Sequence, residues 1–186
     1  MVRVVETARL VLRHLEPGDA PFILRLVNEP SWLRFIGDKG VRSLDDARAY
    51  IANGPAAMIA RHGFGLYLTA TKADATPIGL CGLIQRDALD DVDIGFAFVP
   101  ESWGHGYARE AAAATLEHAR RDFGLRRVVA ITTPDNERSM HLLESLGFAF
   151  ERMVKLAPDA PELRLLAWEE RRPDVARTDV PRMPLP

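Results

Sequence analysis

Residues 91–133 narrow the possible folds more than any other stretch. An alternating apolar run at 91–99 leads into a loop holding Gly104 and Gly106. A helically spaced, alanine-rich stretch at 106–123 and a β-branched run at 127–133 follow directly. A strand, a helix and a strand joined this tightly make parallel neighbours, because the helix is the crossover that a parallel pair requires. The glycine loop then leaves the carboxyl end of the first strand, where open α/β sheets bind their ligands. Two glycines there let the backbone turn sharply and bring its N–H groups close to a ligand. The amides of the first helical turn lack intrahelical partners, and the helix dipole favours negative charge beside them. The loop therefore reads either as a phosphate or pyrophosphate cradle or as a helix start that needs glycine only to turn.

The flanking chain supplies the rest of a mixed sheet. Residues 7–15 alternate, with Leu10 and Leu12 on one face, and predict a first strand. Pro17-Gly18-Asp19 opens a helix carrying Phe22, Ile23, Leu26 and Val27. A short helical or irregular piece at 28–37 carries Trp32 and Phe35. Ser43 and Asp46 have capping-box spacing for a further helix, which Gly54-Pro55 should interrupt. Runs at 64–72, 77–86 and 91–99 suggest an antiparallel meander. Beyond the strand at 127–133, a helix at 136–146 stopped by Gly147 precedes two closing strands at 148–155 and 162–169. The expectation is one domain over residues 1–170, an α/β (mixed α+β) fold with a six- to seven-stranded sheet flanked by helices. Residues 171–186 form a proline-rich tail without a core pattern.

Composition removes several classes of function. Hydrophobic residues at 47% and charged residues at 27% suit a globular protein, and a net charge of −2 offers no global attraction to nucleic acid or anionic membrane. No apolar run approaches the length that spans a bilayer. Arg3, Glu6 and Arg9 interrupt any apolar leader, and the one cysteine excludes an intrachain disulfide framework, so a cytoplasmic location is expected. His14, His62, His118 and His141 show no metal-ligand spacing with one another or with Cys81.

Taken in order, several motifs resemble the GNAT superfamily of acyl-CoA-dependent N-acetyltransferases, specifically its RimJ/RimL-like branch. They are Thr7-Ala8-Arg9-Leu10-Val11-Leu12-Arg13, Gly18-Asp19-Ala20, Pro77-Ile78-Gly79 and Asp93-Ile94-Gly95-Phe96. The strongest are Pro100-Glu101-Ser102-Trp103-Gly104-His105-Gly106-Tyr107-Ala108 with Glu110-Ala111, and Asn136-Glu137-Arg138-Ser139 with Glu144 and Leu146-Gly147-Phe148. Many members carry Gln or Arg before the glycine loop. This chain carries Glu101, and its short loop from Pro100 is similar to the RimJ/RimL-like branch. The resemblance implies a sheet splayed between 91–99 and 127–133, with acetyl-CoA in the cleft as cosubstrate. It implies that pantetheine pairs with the backbone near Ala97, Phe98 and Val99. The pyrophosphate would rest on amides of Trp103, Gly104, His105, Gly106, Tyr107 and Ala108. Asn136 would bond the pantetheine arm as well as cap its helix, and Ser139 would donate to the departing thiolate.

Acetyl transfer to an amine needs a neutral nucleophile, a stabilised carbonyl oxygen and a leaving thiolate. Asp93 is the candidate for the amine end, because it points away from the face of Val92, Ile94 and Phe96; the competing reading is a solvent-facing Asp near a turn. Glu151 is a second carboxylate candidate. Ser139 has an ordinary alternative too, as a first-turn serine satisfying backbone groups. Trp32, Phe35 and Trp103 fit either the acceptor side or the core. The reading that follows is an N-acetyltransferase acting on a protein α-amine or a small amine, without metal, with a homodimer expected from the final strands. The alternative of another class is an acyl-CoA-binding regulatory module without turnover. A Rossmann dinucleotide site fits poorly, since Arg109 stands where the third glycine belongs and the loop follows a late strand.

Overall fold

In the computed structural model, which describes residues 2–170, a single twisted sheet runs through the molecule in the order β1-β2-β3-β4-β5-β6-β8-β7. The tail expected at 171–186 lies outside the described residues. β1 (Arg3–Glu6) pairs antiparallel with β2 (Leu10–Arg13), whose Leu10 and Leu12 are fully buried as their alternation requires. The sheet has eight strands, one or two more than the sequence suggests. The additional strand, β1, is four residues long and half-exposed at the sheet edge, so it carries no readable period.

The N-terminal helices cover one face of the first half-sheet. α1 (Ala20–Leu26) starts where Arg13 grips Asp19 through two hydrogen bonds of 2.7 Å. Burial raises the Asp19 pKa, yet the guanidinium and the Glu16 amide outweigh it and hold the carboxyl below its ordinary value. After α2 (Pro30–Phe35), Ser43 and Asp46 form the expected capping box at the head of α3 (Leu44–Ile51). Pro55 does not break the path. Residues 52–56 widen into a π-helical turn that accommodates the missing N–H, and the chain continues as α4 (Ala57–His62).

β3 (Leu66–Thr71), β4 (Pro77–Ile84) and β5 (Asp93–Phe98) are the expected meander. The glycine loop then feeds α5 (Tyr107–Phe123), which Gly124 ends in the left-handed conformation. β6 (Arg127–Thr132), α6 (Glu137–Ser145), β7 (Ala149–Val154) and β8 (Leu163–Glu169) complete the chain. α5 packs Ala111, Ala112, Leu116 and Ala119 against the sheet face carrying Leu10, Tyr67, Cys81, Ile94 and Phe98. The opposite face, with Leu68, Ala70, Leu80 and Val99, receives Ile23 and Leu26 of α1 and Ala47 and Ile51 of α3.

The parallel pair β5–β6 is where the sheet opens. β4 and β5 share six paired positions, and so do β6 and β8, whereas β5 and β6 meet at one, Asp93 opposite Val129. Val129 N–H donates to Val92 O at 2.9 Å there, and beyond that point the two strands diverge.

Candidate active site

The loop between β5 and α5 is held from outside by side chains. Gly104 and Gly106 sit at φ 78° and 77°, conformations that disfavour any residue with a Cβ. Glu110, in the first turn of α5, accepts from Thr7 Oγ1, from the Arg9 amide and from Arg9 Nε. Arg9 also donates to His105 O at 2.9 Å and lies 4.6 Å over the Tyr107 ring, which stacks on His105. His105 Nδ1–H donates to Trp103 O at 2.8 Å, so its ring serves the loop as well as its backbone. Glu110 is thus more than a favourable charge at a helix start: it ties the loop to β2. The first intrahelical bond runs from Glu110 N–H to Gly106 O, leaving the amides ahead of it free of helical partners.

The free edge of β5 continues from this loop. Val99 N–H donates to Ile78 O, so the odd residues of β5 turn their backbone groups toward β4. Ile94, Phe96 and Phe98 consequently turn theirs toward β6; Ile94 meets that strand at the Asp93–Val129 bridge, while Phe96 and Phe98 face the gap, where no strand receives them. Phe98 O is taken by the indole N–H of Trp103 at 2.9 Å. Of the three residues named from the sequence, Phe98 therefore presents its backbone to the opening, and Ala97 lines the cavity with its side chain. Val99 does not contribute an edge: it is buried, and its carbonyl also accepts from the Ser102 amide and hydroxyl.

A cavity of about 180 Å³ fills the wedge between the half-sheets. Asp93 lies in its wall with 1% of its surface exposed. Oδ2 accepts from Arg86 Nε at 2.6 Å, while Oδ1 is buried and has no hydrogen-bond partner among the described residues. Burial, which penalises the charged form, pushes the carboxyl up to about 6, against the pull of Arg86 and the Ile131 amide. Ser139 lines the same cavity from the first turn of α6. Its amide donates to Asn136 Oδ1 at 3.2 Å, which makes Asn136 the helix cap. The Ser139 hydroxyl makes no hydrogen bond within the described residues.

Trp32, Ile36, Lys39 and Tyr50 close the cavity from the helical side, with Arg86 in the loop just after β4. Burial, with Arg86 as a like charge nearby, lowers the Lys39 pKa, and burial pushes the Tyr50 hydroxyl up to about 12. The cavity wall thus includes Asp93, Ser139, Ala97 and Trp32 from the sequence candidates. Phe35 and Trp103 are not part of it, and the Trp103 ring is instead covered by the Arg138 guanidinium at 4.8 Å. Glu151 is also elsewhere: it accepts from Arg127 at 2.6 Å, in a cluster with Asp91 and Glu169. Lys39, Tyr50 and Arg86 went unnoticed in the sequence, since they come from separate elements and form no motif. Cys81 is a core residue, its thiol beside Thr115 and pushed by burial up to about 12. Among the described residues no group of His, Cys, Asp or Glu is placed to hold a metal ion, and no helix is long and apolar enough to cross a membrane.

Comparison with known proteins places this geometry in context. The profile of the acetyltransferase (GNAT) domain matches residues 9–149. An uncharacterized N-acetyltransferase of Bacillus subtilis, YoaA, is 29% identical over 157 residues, covering 83% of this chain and 88% of its own. RimL, the ribosomal L7/L12 α-N-protein acetyltransferase, solved in complex with coenzyme A, superposes with a TM-score of 0.76. It shares 19% identity, over 90% of this chain and 98% of that one. Spermidine N-acetyltransferase from Vibrio cholerae, solved with CoA and spermine, gives a TM-score of 0.72 at 20% identity, covering 88% of this chain and 97% of that one.

Proposed function

The chain belongs to the GNAT acetyltransferase family, and from that premise we propose that it moves the acetyl group of acetyl-CoA onto a primary amine by direct attack, with Asp93 and Ser139 at the two ends of the reaction. The observation that carries the assignment is the Asp93 carboxylate. It is buried in the cavity wall, with Oδ2 held by Arg86, the Ile131 amide beside the carboxyl, and Oδ1 making no hydrogen bond among the described residues. The acceptor enters as an ammonium whose proton Asp93 Oδ1 takes, directly or through one water. With its pKa at about 6 the carboxylate is ionised at neutral pH and still basic enough to serve. The amine nitrogen then bonds to the acetyl carbon and the carbon–sulfur bond breaks; the second proton of the nitrogen passes to the departing thiolate, whose charge the Ser139 hydroxyl steadies by hydrogen bonding, and Asp93 returns its proton to solvent.

The residues present fit the cosubstrate, which supplies an activated thioester. The unpaired β5 edge at Phe96 and Phe98 suits an amide-bearing pantetheine arm, flanked by Ala97 and, across the gap, Asn136. The amides of Gly104, His105, Gly106, Tyr107 and Ala108 suit its pyrophosphate, whereas the Trp103 amide, also expected there, is already spent on Pro100 O at 3.1 Å. Within the family, the short loop from Pro100, together with a fold like that of RimL, supports a RimJ/RimL-like enzyme, and the lone cysteine suits a cytoplasmic one. The outer strand β7, with Phe150 and Met153 exposed, supports a homodimer, which light scattering tests.

Titration calorimetry with acetyl-CoA, CoA and NAD in parallel, followed by thiol release over a panel of amines, tests the proposal. Binding of both CoA species but not NAD, with amine-dependent thiol release, is the expected result. CoA binding with no release for any amine would instead favour a binding module without turnover.

A further inference from the structure

We infer that the acceptor is a small primary amine that also carries an anionic group, a carboxylate or a phosphonate-like group, held by Lys39 and Arg86. The inference rests on the acetyltransferase reading and concerns the far side of the same cavity.

The charges in the cavity wall do not balance. Asp93 is the one carboxylate in it, and Arg86 already neutralises that group through the Nε–Oδ2 contact. The terminal nitrogens of Arg86 make no hydrogen bond to any described residue. Lys39, exposed at the cavity mouth, has no ion-pair partner among them. Two further donors share the wall: the Trp32 indole N–H, buried and without a partner, and the Tyr50 hydroxyl. Such a surface is short of acceptor atoms. An anionic oxygen cluster supplies them, forming charge-assisted bonds to Lys39 and Arg86. Burial first, and Arg86 as a like charge second, already depress the Lys39 pKa. A polyamine would add to that repulsion, whereas an anion relieves it.

The two ends of such a ligand fit two different places. Its ammonium matches the free Asp93 Oδ1, and its anionic end matches the donors toward the mouth. The cationic groups are not part of the phosphate cradle, since no residue of the 103–108 loop lines this cavity.

The test compares β-alanine and 2-aminoethylphosphonate with ethanolamine, spermidine and an acidic peptide bearing a free N-terminus. Thiol release from acetyl-CoA is followed in the unmodified protein, Lys39→Gln and Lys39→Glu. The expected kcat/KM for the better of the two anionic amines exceeds that for ethanolamine and spermidine by about tenfold or more. Lys39→Gln shrinks this ratio, Lys39→Glu abolishes or reverses it, chiefly through KM, and the acetyl-CoA Kd stays unchanged. The β-alanine and phosphonate arms separate the two kinds of anion. Preference for spermidine, ethanolamine or the peptide, or an unchanged ratio in Lys39→Glu, overturns the inference. Calorimetric titration of the two anionic amines into the protein, with and without CoA, reads the anion site independently of turnover. If acetyl-CoA fails to bind, the acetyltransferase reading falls, while Lys39-dependent binding of these amines still decides the anion site; its absence overturns the inference there too.

Discussion

In the proposed reading, the two ends of the cleft recognise their ligands by different means. At the loop the binding groups are backbone amides, and the side chains around them, Arg9, Glu110, His105 and Tyr107, hold the loop's shape. At the cavity the side chains themselves carry the chemistry: Asp93, Arg86, Lys39 and Ser139 converge from four separate elements or loops. A substitution at the loop therefore acts through geometry and changes affinity for a cosubstrate that every reaction shares. One at the cavity acts through charge or proton transfer and changes rate or acceptor choice.

Breaking the cavity end should produce the largest effect. Asp93→Asn is expected to lower kcat/KM by about 10²–10⁴-fold, the usual range for losing a positioned base, with little change in acetyl-CoA Kd. Its pH profile sharpens the assignment. In the unmodified enzyme kcat/KM rises as pH passes through about 6, where Asp93 loses its proton, and this limb disappears in the variant. The same group works against the fold. Folded Asp93 keeps its proton to higher pH than an unfolded Asp, so the stability it contributes falls as pH rises from the ordinary carboxylate range through about 6.

The loop end comes next. Gly106→Val forces a β-branched residue to φ 77°, a strain of about 1–3 kcal/mol, and should weaken acetyl-CoA binding by about tenfold to a hundredfold in calorimetry. Ser139→Ala removes one hydrogen bond to the departing sulfur and is expected to cost about tenfold in kcat with the Kd for CoA retained. The smallest effect belongs to Glu110→Gln, which weakens the tie to Arg9. A loss of about 1 kcal/mol in thermal or urea unfolding, with a few-fold rise in acetyl-CoA Kd, is expected. Equal effects of Glu110→Gln and Asp93→Asn on kcat would erase the distinction between the two ends.

The same division explains what the sequence reveals. The loop end is contiguous: glycines, helix start and helix length all lie within one stretch, so their order reports their geometry. Asp93 is legible because strand alternation says which way it points, and Ser43 and Asn136 because caps sit at fixed offsets from helices. Lys39, Tyr50 and Arg86 are brought together by tertiary packing, and no local period marks them. β1 escapes for a related reason, since four half-exposed residues lack the contrast between faces that alternation requires. Glu151 shows the opposite error: a carboxylate on a late strand invites a catalytic role, and its commitment to Arg127 is visible only in three dimensions.

The single contact between β5 and β6 has a mechanical meaning. Two rigid plates joined at one point behave like a pair of compasses, whose tips travel while the pivot stays where it is. Asp93 occupies the pivot, opposite Val129. As the half-sheets breathe to admit or release a long cosubstrate, the groups that must move are those farthest from it. The proposed proton acceptor sits at that pivot, where such a movement displaces it least.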